Sequence, residues 1–334
     1  MAVERALELT EKNGKVIVIT GKSHIPHVIA DIAKLKLGAG SKKRLLVVGE
    51  PAAKNTAPAV ACAVCYSLLG GRGRNMLVLT SDHIIKPLAA FRADSKLAAS
   101  SAGKGKLVVF GIPPVRPETG YGYIETGKGA DGVYKVAAFH EKPDPKTAKK
   151  YAASRRFFWN SGMFAFCADF MAEQFRAFAP GVIRPFEKLK APKPESCSVS
   201  KGVRVLDSWP GLENAYRKTE SISFDYAIAE KCRNAVMVPA SFEWIDIGNW
   251  EEYAKIGGSC KAKVFVASGD ASGDGCYVDS DIPVALAGVE DLVVVIRSGK
   301  NGGPAAALIT KKGQTQKVRD IVEQIRKSGS AELL

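Results

Sequence analysis

Short runs of apolar and β-branched residues occur at Val16 to Thr20, Leu45 to Val48, Met76 to Thr80 and Leu107 to Phe110, and the first three are each followed by a segment with helical spacing. Such alternation predicts a mostly parallel sheet with helices on both faces. In sheets of that kind ligands collect at the carboxyl ends of the strands, which singles out Ser81, Asp82 and His83 directly after the third run.

From Gly111 the texture changes. The glycine, proline and aromatic residues of IPPVRPETGYGYIE lead into the alternating VYKVAAFHE, a pattern that predicts a hairpin inserted into the α/β core. Helical spacing returns at Pro145 to Ser154 and at Asp169 to Phe178. Beyond Trp250, brief apolar pieces between Lys263 and Thr310 are separated by glycine, aspartate and serine, as in the turns of a small β-rich appendage. The last predicted element is Gln316 to Lys327, whose stripe of Val318, Ile321, Val322 and Ile325 suits a terminal docking helix. The expected division is a large domain over 1–258 and a small one over 259–334. The clearest loops, KAPKPES near 192 and SGKNGGP near 300, are too short to be domain linkers.

Composition narrows the class of protein. A chain of 334 residues with 46% hydrophobic residues can bury a sizeable core. No apolar stretch is long enough for a membrane span, and the first residues lack the pattern of a signal peptide, so no membrane association and a cytoplasmic location are expected. Seven scattered cysteines fit thiols kept reduced. Cys62 and Cys65 form a CxxC, but no second pair or nearby histidine completes a zinc set, and ACAVCYSLL reads as an apolar helix face. The formal charge of +14, from 48 Lys+Arg against 34 Asp+Glu, favours anionic ligands. The basic residues are dispersed and not interleaved with aromatic ones, so nucleic acid is not the expected partner.

Five strings carry the chemistry: GEPAAKNTAPA (49–59), LTSDHII (79–85), FGIPPVRPETGYGYIE (110–125), FHEKPD with WNSGMFAF (139–144 and 159–166), and SISFDYAIAEK with WIDIGNW (221–231 and 244–250). In order and approximate spacing they resemble the nucleotidyltransferase domain of bacterial mannose-1-phosphate guanylyltransferases. The resemblance implies a GT-A-like α/β fold, as in nucleotide-diphospho-sugar transferases, with a small C-terminal β-helix-like appendage. It also implies synthesis of GDP-mannose and pyrophosphate from GTP and α-D-mannose 1-phosphate with Mg²⁺, and it leaves a homodimer open.

Joining a nucleoside triphosphate to a sugar 1-phosphate needs an anionic oxygen to attack the α-phosphorus in line, and charge repulsion is the main obstacle. By resemblance Asp82 and Asp246 hold the metal, and Lys142 is catalytic with them, binding the sugar phosphate. Glu141 accepts from sugar hydroxyls, and Gly120, Gly122, Asn160 and Ser161 complete the sugar pocket. Lys54, Asn55, Thr56 and Ser81 lie beside the nucleotide; Lys54 stands where the family usually has arginine, losing the planar fork.

Read without the family, each string has a plainer meaning. Asp82 reads as the N-cap of a helix over HIIKPLAAF, Asp246 as a turn aspartate, and Glu141 with Lys142 as a surface ion pair. GYG reads as a hairpin turn and WNSG as a loop ahead of a core strand; Asn55 and Thr56 would cap a helix, and His83 and His140 would be positional. The family's opening strand, its G-G-x-G-T-R-L loop and its later P-K pair have no counterpart here, so the chain is expected to begin after them. The competing expectation is a non-catalytic homologue that binds a sugar phosphate or nucleotide sugar after losing the triphosphate loop.

Overall fold

The computed structural model describes residues 2–248, 250–256, 263–266, 273–299 and 305–330. The chain forms two compact units: Met1–Ser81 with Ile85–Trp244, and Asp82–Ile84 with Ile245–Leu334. The domain boundary expected at 258 lies outside the described residues, as do Cys260 and much of the SGKNGGP loop. Among the described residues no helix is long and apolar enough to cross a membrane.

In chain order the elements begin with α1 (Ala2–Leu9), β1 (Val16–Gly21), α2 (Ile25–Lys34), α3 (Ala39–Lys43), β2 (Leu45–Glu50) and α4 (Thr56–Leu69). They continue with β3 (Asn75–Val78), β4 (His83–Lys86), α5 (Leu88–Ala102), β5 (Leu107–Ile112), β6 (Tyr123–Ala130), β7 (Val133–His140) and α6 (Pro145–Ala153). Next come β8 (Phe157–Cys167), α7 (Ala168–Phe178), α8 (Pro180–Glu187), β9 (Cys197–Ser200), β10 (Val203–Leu206), α9 (Leu212–Lys218), β11 (Ala235–Pro239) and β12 (Glu243–Asp246).

Period-two alternation explains how one strand serves two cores. Along β5, Leu107 and Val109 join a cluster with α4, α7, α8 and α9, whereas Val108 and Phe110 join another with Phe91, Ala98 and Ala102 of α5. Every residue of β5 is therefore buried. Likewise β2 turns Leu46 and Val48 toward α4 and turns Leu45 and Val47 toward Ile29 and Ile32 of α2. The helix α4 is apolar nearly all round, and small residues such as Ala57, Ala61 and Cys62 let it lie between the sheet and α7 and α8. Cys62 and Cys65 are buried there, as the sequence predicted.

The expected α/β core, with helices on both faces, is present. The strands form a four-stranded sheet, β1-β2-β10-β9, and a six-stranded sheet, β3-β8-β5-β11-β7-β6. Parallel pairing is confined to β1/β2, β2/β10 and β5/β11; the other ladders of these sheets are antiparallel, a departure from the mostly parallel sheet expected. The cause lies in the insertions: the long strand β8 runs back between β3 and β5, and the β6/β7 hairpin adds the far edge. That hairpin turns at Asp131-Gly132, both at positive φ (52° and 77°), the Asp-Gly chemistry that matches strand twist.

The second unit holds α10 (Trp250–Lys255), β13 (Val264–Val266), β14 (Tyr277–Ser280), β15 (Val284–Leu286), β16 (Leu292–Arg297), β17 (Ala306–Lys311) and α11 (Val318–Lys327). The short strands pair in parallel, β13 with β15 and β14 with β16, before β17 turns back on β16. Val278, Val284, Leu286 and Val294 form its small core, which agrees with the β-rich appendage expected. The terminal helix forms where predicted; among the described residues none of its side chains is fully buried, and of the expected stripe Val318, Val322 and Ile325 are half-buried while Ile321 is 44% exposed.

Candidate active site

Asp82 is not a helix N-cap. The residues after it form β4, and α5 begins only at Leu88 behind Pro87. A two-stranded ribbon of β4 and β12 places both aspartates: Asp82 immediately precedes β4, and Asp246 ends β12. The Ile247 amide donates to the Asp82 carbonyl at 3.0 Å, which fixes the two backbones beside each other. The side chains follow. One donor atom each from Asp82, His83 and Asp246 lies within 4.8 Å of the others.

The surroundings of Asp246 favour its protonated form, with the Gly248 amide opposing. Burial first, then Asp82 and then Glu252, push the Asp246 carboxyl up to about 6. An alanine-sized group at Gly248 would stand 3.1 Å from the Asp246 carboxylate, so glycine leaves that side chain its space. Asp82 keeps 55% of its side-chain surface, which leaves the group open on one side. Two carboxylates with an open face suit a divalent cation that also binds water and substrate oxygens. The sequence expected the pair at the ends of main-sheet strands; the structure gives it to a separate ribbon.

In the first unit, Gly122, Glu141, Lys142 and Asn160 come together, and Asp225 joins them. The Asn160 amide donates to Asp225 at 2.7 Å, its carbonyl oxygen accepts from the Gly162 amide at 3.1 Å, and its backbone amide donates to the Gly122 carbonyl at 2.8 Å. A Cβ at Gly122 would lie 2.9 Å from the Glu141 carboxylate, so the missing side chain makes room for Glu141. Lys142, at φ 38°, pairs with Glu141 at 3.3 Å. Burial first raises the Asp225 carboxyl; Asn160 opposes this, Glu141 adds to it and Lys142 counters. Glu230 is raised by burial and then by Glu141 and Asp225. The outcome is an acidic, hydrogen-bond-accepting cluster with the Lys142 and Lys231 ammoniums near it, suited to hydroxyls beside an anion.

Sequence reasoning does not single out Asp225, although it sits in the SISFDYAIAEK string. It opens a π-helical turn, Asp225–Ala229, whose geometry no period in the sequence announces.

Other expected residues are placed differently. Ser161 is 3% exposed and donates to the Phe110 carbonyl at 2.8 Å, bracing β8 on β5 rather than offering its hydroxyl to a ligand. WNSG lies inside β8 and not in a loop. GYG is not the hairpin turn: the Gly120 amide donates to Glu118 at 2.9 Å, and Tyr121 meets Trp159 and Trp244 edge-on at 5.4 and 5.3 Å. Asn55, at φ 70°, caps α4 by accepting from the Thr56 amide at 2.9 Å. Thr56 does not cap; its hydroxyl accepts from the Phe224 amide at 2.8 Å, and Lys54 donates to the Thr219 carbonyl at 3.3 Å. Ser81 is exposed in the bend after β3. His140 has Nε2 3.2 Å from Glu125 and its ring beside Tyr151 and Phe157.

The first unit holds an α/β core with a polar cluster and the second holds a carboxylate pair, the kind of groups that receive hydroxyls and cations, and similarity to known proteins gives the class. The Nucleotidyl transferase profile matches residues 7–261, and the chain belongs to that family. It is 35% identical over 318 residues to the xanthan biosynthesis protein XanB of Xanthomonas campestris pv. campestris (strain B100), covering 93% of this chain and 64% of that one. Identity to the mannose-1-phosphate guanylyltransferase of Escherichia coli (strain K12) is 36% over 298 residues, 86% of this chain and 59% of the relative. The chain thus spans about 60% of the length of these relatives. A crystal structure described as mannose-1-phosphate geranyltransferase from Thermus thermophilus superposes with a TM-score of 0.69 at 25% identity, covering 94% of this chain and 99% of that one. One described as mannose-6-phosphate isomerase from Helicobacter pylori does so with 0.60 at 27%, covering 73% and 88%.

Proposed function

We propose that this chain transfers a guanylyl group from GTP to α-D-mannose 1-phosphate, releasing pyrophosphate and forming GDP-mannose with Mg²⁺. The observation that carries the reading is the meeting of the Asp82 and Asp246 carboxylates in a family that transfers nucleotidyl groups. The sugar and the base rest on the relatives named for mannose 1-phosphate. Asp82 and Asp246 would hold the cation, which supplies neutralisation of phosphate charge during in-line attack. Glu141 would accept from sugar hydroxyls, and Asn160, oriented by Asp225, would stand beside them. Lys142 would bind the sugar phosphate as a point charge. Lys54, Asn55 and Thr56 lie at the amino end of α4, where positive dipole potential favours an anionic nucleotide. A cytoplasmic setting fits the free thiols of Cys62, Cys65, Cys167, Cys197, Cys232 and Cys276.

Pyrophosphate release from GTP with mannose 1-phosphate and Mg²⁺ tests the reading. Release is expected to fall by roughly 100-fold or more in Asp82→Asn and Asp246→Asn, the scale of losing one preorganised electrostatic group. Calorimetric binding of mannose 1-phosphate or GDP-mannose with no pyrophosphate release would overturn it, in favour of the non-catalytic sugar-phosphate binder.

A further inference from the structure

The group formed by Asp82 and Asp246 has a third member that a magnesium site does not require. His83 is the first residue of β4, whose burial alternates so that His83 and Ile85 point inward while Lys86 is exposed. Its side chain keeps 5% of its surface, so packing fixes the ring. Nε2 stands 3.9 Å from an Asp82 carboxylate oxygen, too far for a hydrogen bond between the two. Ligands held about 2.1 Å from one ion lie roughly 3–4 Å apart, the separation found here. The widest spacing among the three donor atoms, 4.8 Å at most, would close by side-chain rotation of about an ångström.

We infer that His83 supplies an imidazole nitrogen to the cation held by Asp82 and Asp246, and that the group therefore binds a first-row transition ion more tightly than Mg²⁺. The inference rests on the metal-binding part of the proposed function. Magnesium is a hard cation served by carboxylates, phosphates and water, and it gains little from imidazole. Imidazole nitrogen is a good ligand for softer divalent ions, whose affinities rise along the series from Mn²⁺. The set of two carboxylates and one imidazole also leaves coordination positions for substrate oxygens, as nucleotidyl transfer needs.

The probe is Mn²⁺ alone, without nucleotide, on the full chain. Pulsed electron paramagnetic resonance should show one imidazole nitrogen coupled to Mn²⁺, and the coupling should be absent in His83→Gln, while the other three of the four histidines remain. Mn²⁺ affinity in that variant should fall by at least the roughly 10–100-fold that loss of even a supporting partner costs, with Mg²⁺ affinity changing less. A thermal melt shows whether the variant is folded, and the wild-type spectrum stands independently of it. Mn²⁺ binding that needs Asp82 and Asp246 but shows no nitrogen coupling overturns the His83 inference and leaves the carboxylate pair intact. Absence of Mn²⁺ binding at millimolar concentration overturns both, and pyrophosphate assays then decide the remainder of the proposed function separately.

Discussion

The Asn160 side-chain amide donates to the Asp225 carboxylate at 2.7 Å, joining strand β8 to the π-helical turn that follows Phe224. Asn160 also spends its carbonyl oxygen on the Gly162 amide, so both ends of the side chain are fixed. The amide is therefore preset, with no rotamer left to choose.

Removing this bond leaves a half-buried carboxylate beside Glu141. Asn160→Ala should cost about 1–3 kcal/mol, the penalty for stranding one partner of an internal hydrogen bond. Asp225→Asn keeps an acceptor oxygen and should cost less than Asn160→Ala. Chemical denaturation of both variants, with m-values compared, checks the order; equal stability of Asn160→Ala and wild type would deny the bond any structural role.

Gly122 offers a cleaner separation of folding from binding. An added Cβ would meet the far end of Glu141 at 2.9 Å, and a mobile side-chain terminus yields cheaply. Gly122→Ala should leave the melting temperature nearly unchanged while raising KM for the sugar phosphate, because Glu141 is pushed from its place. A kcat loss at constant KM would show that Glu141 does not bind substrate in the ground state.

Much of this is legible from patterns of short range. The runs at 16, 45, 76 and 107 form β1, β2, β3 and β5; in β2 and β5 consecutive apolar residues are what a strand buried on both faces requires, whereas β1 and β3 are mostly half-buried. The β6/β7 hairpin shows through its alternation, although its turn falls at Asp131-Gly132 and not at the GYG read as a turn. Pairing across distance is hidden. Nothing local in HIIK states that it will pair with EWID, yet that ribbon is what joins Asp82 to Asp246. Ser161 shows the opposite failure: a hydroxyl in a motif looks available, but strand alternation turns it inward to Phe110. Thr56 reads as a cap from its position alone, whereas a residue far along the chain claims its hydroxyl.

The CxxC pair should be chemically silent. Burial raises both thiols, Cys65 to about 12 and Cys62 further, so thiolate is scarce at neutral pH and access is closed. With a thiol-reactive disulfide reagent, labelling of the half-buried Cys167, Cys197 and Cys276 should precede any at Cys62 or Cys65, which should react only on denaturation. Mass mapping of the labelled peptides decides it; rapid native labelling at Cys62 would mean that α4 opens readily.

Asp246 gives the pH prediction. Its carboxyl is raised from the ordinary value of 3.8 to about 6 by burial, Asp82 and Glu252, so between those values the folded chain binds a proton that the unfolded chain has released. The group's contribution to stability is then fully present below about 4 and is lost as pH rises through about 6. In chelator, wild type should lose stability across this window relative to Asp246→Asn, whose side chain has no proton to release. A divalent cation should reverse the trend, because it binds the deprotonated form and replaces the missing proton with its own charge. Denaturation midpoints of both proteins across the acidic-to-neutral range, with and without added Mg²⁺, measure the effect. Parallel pH profiles for wild type and Asp246→Asn in chelator would show that the carboxylate pair is not strained, and a Mg²⁺ effect of equal size in both would place the cation elsewhere.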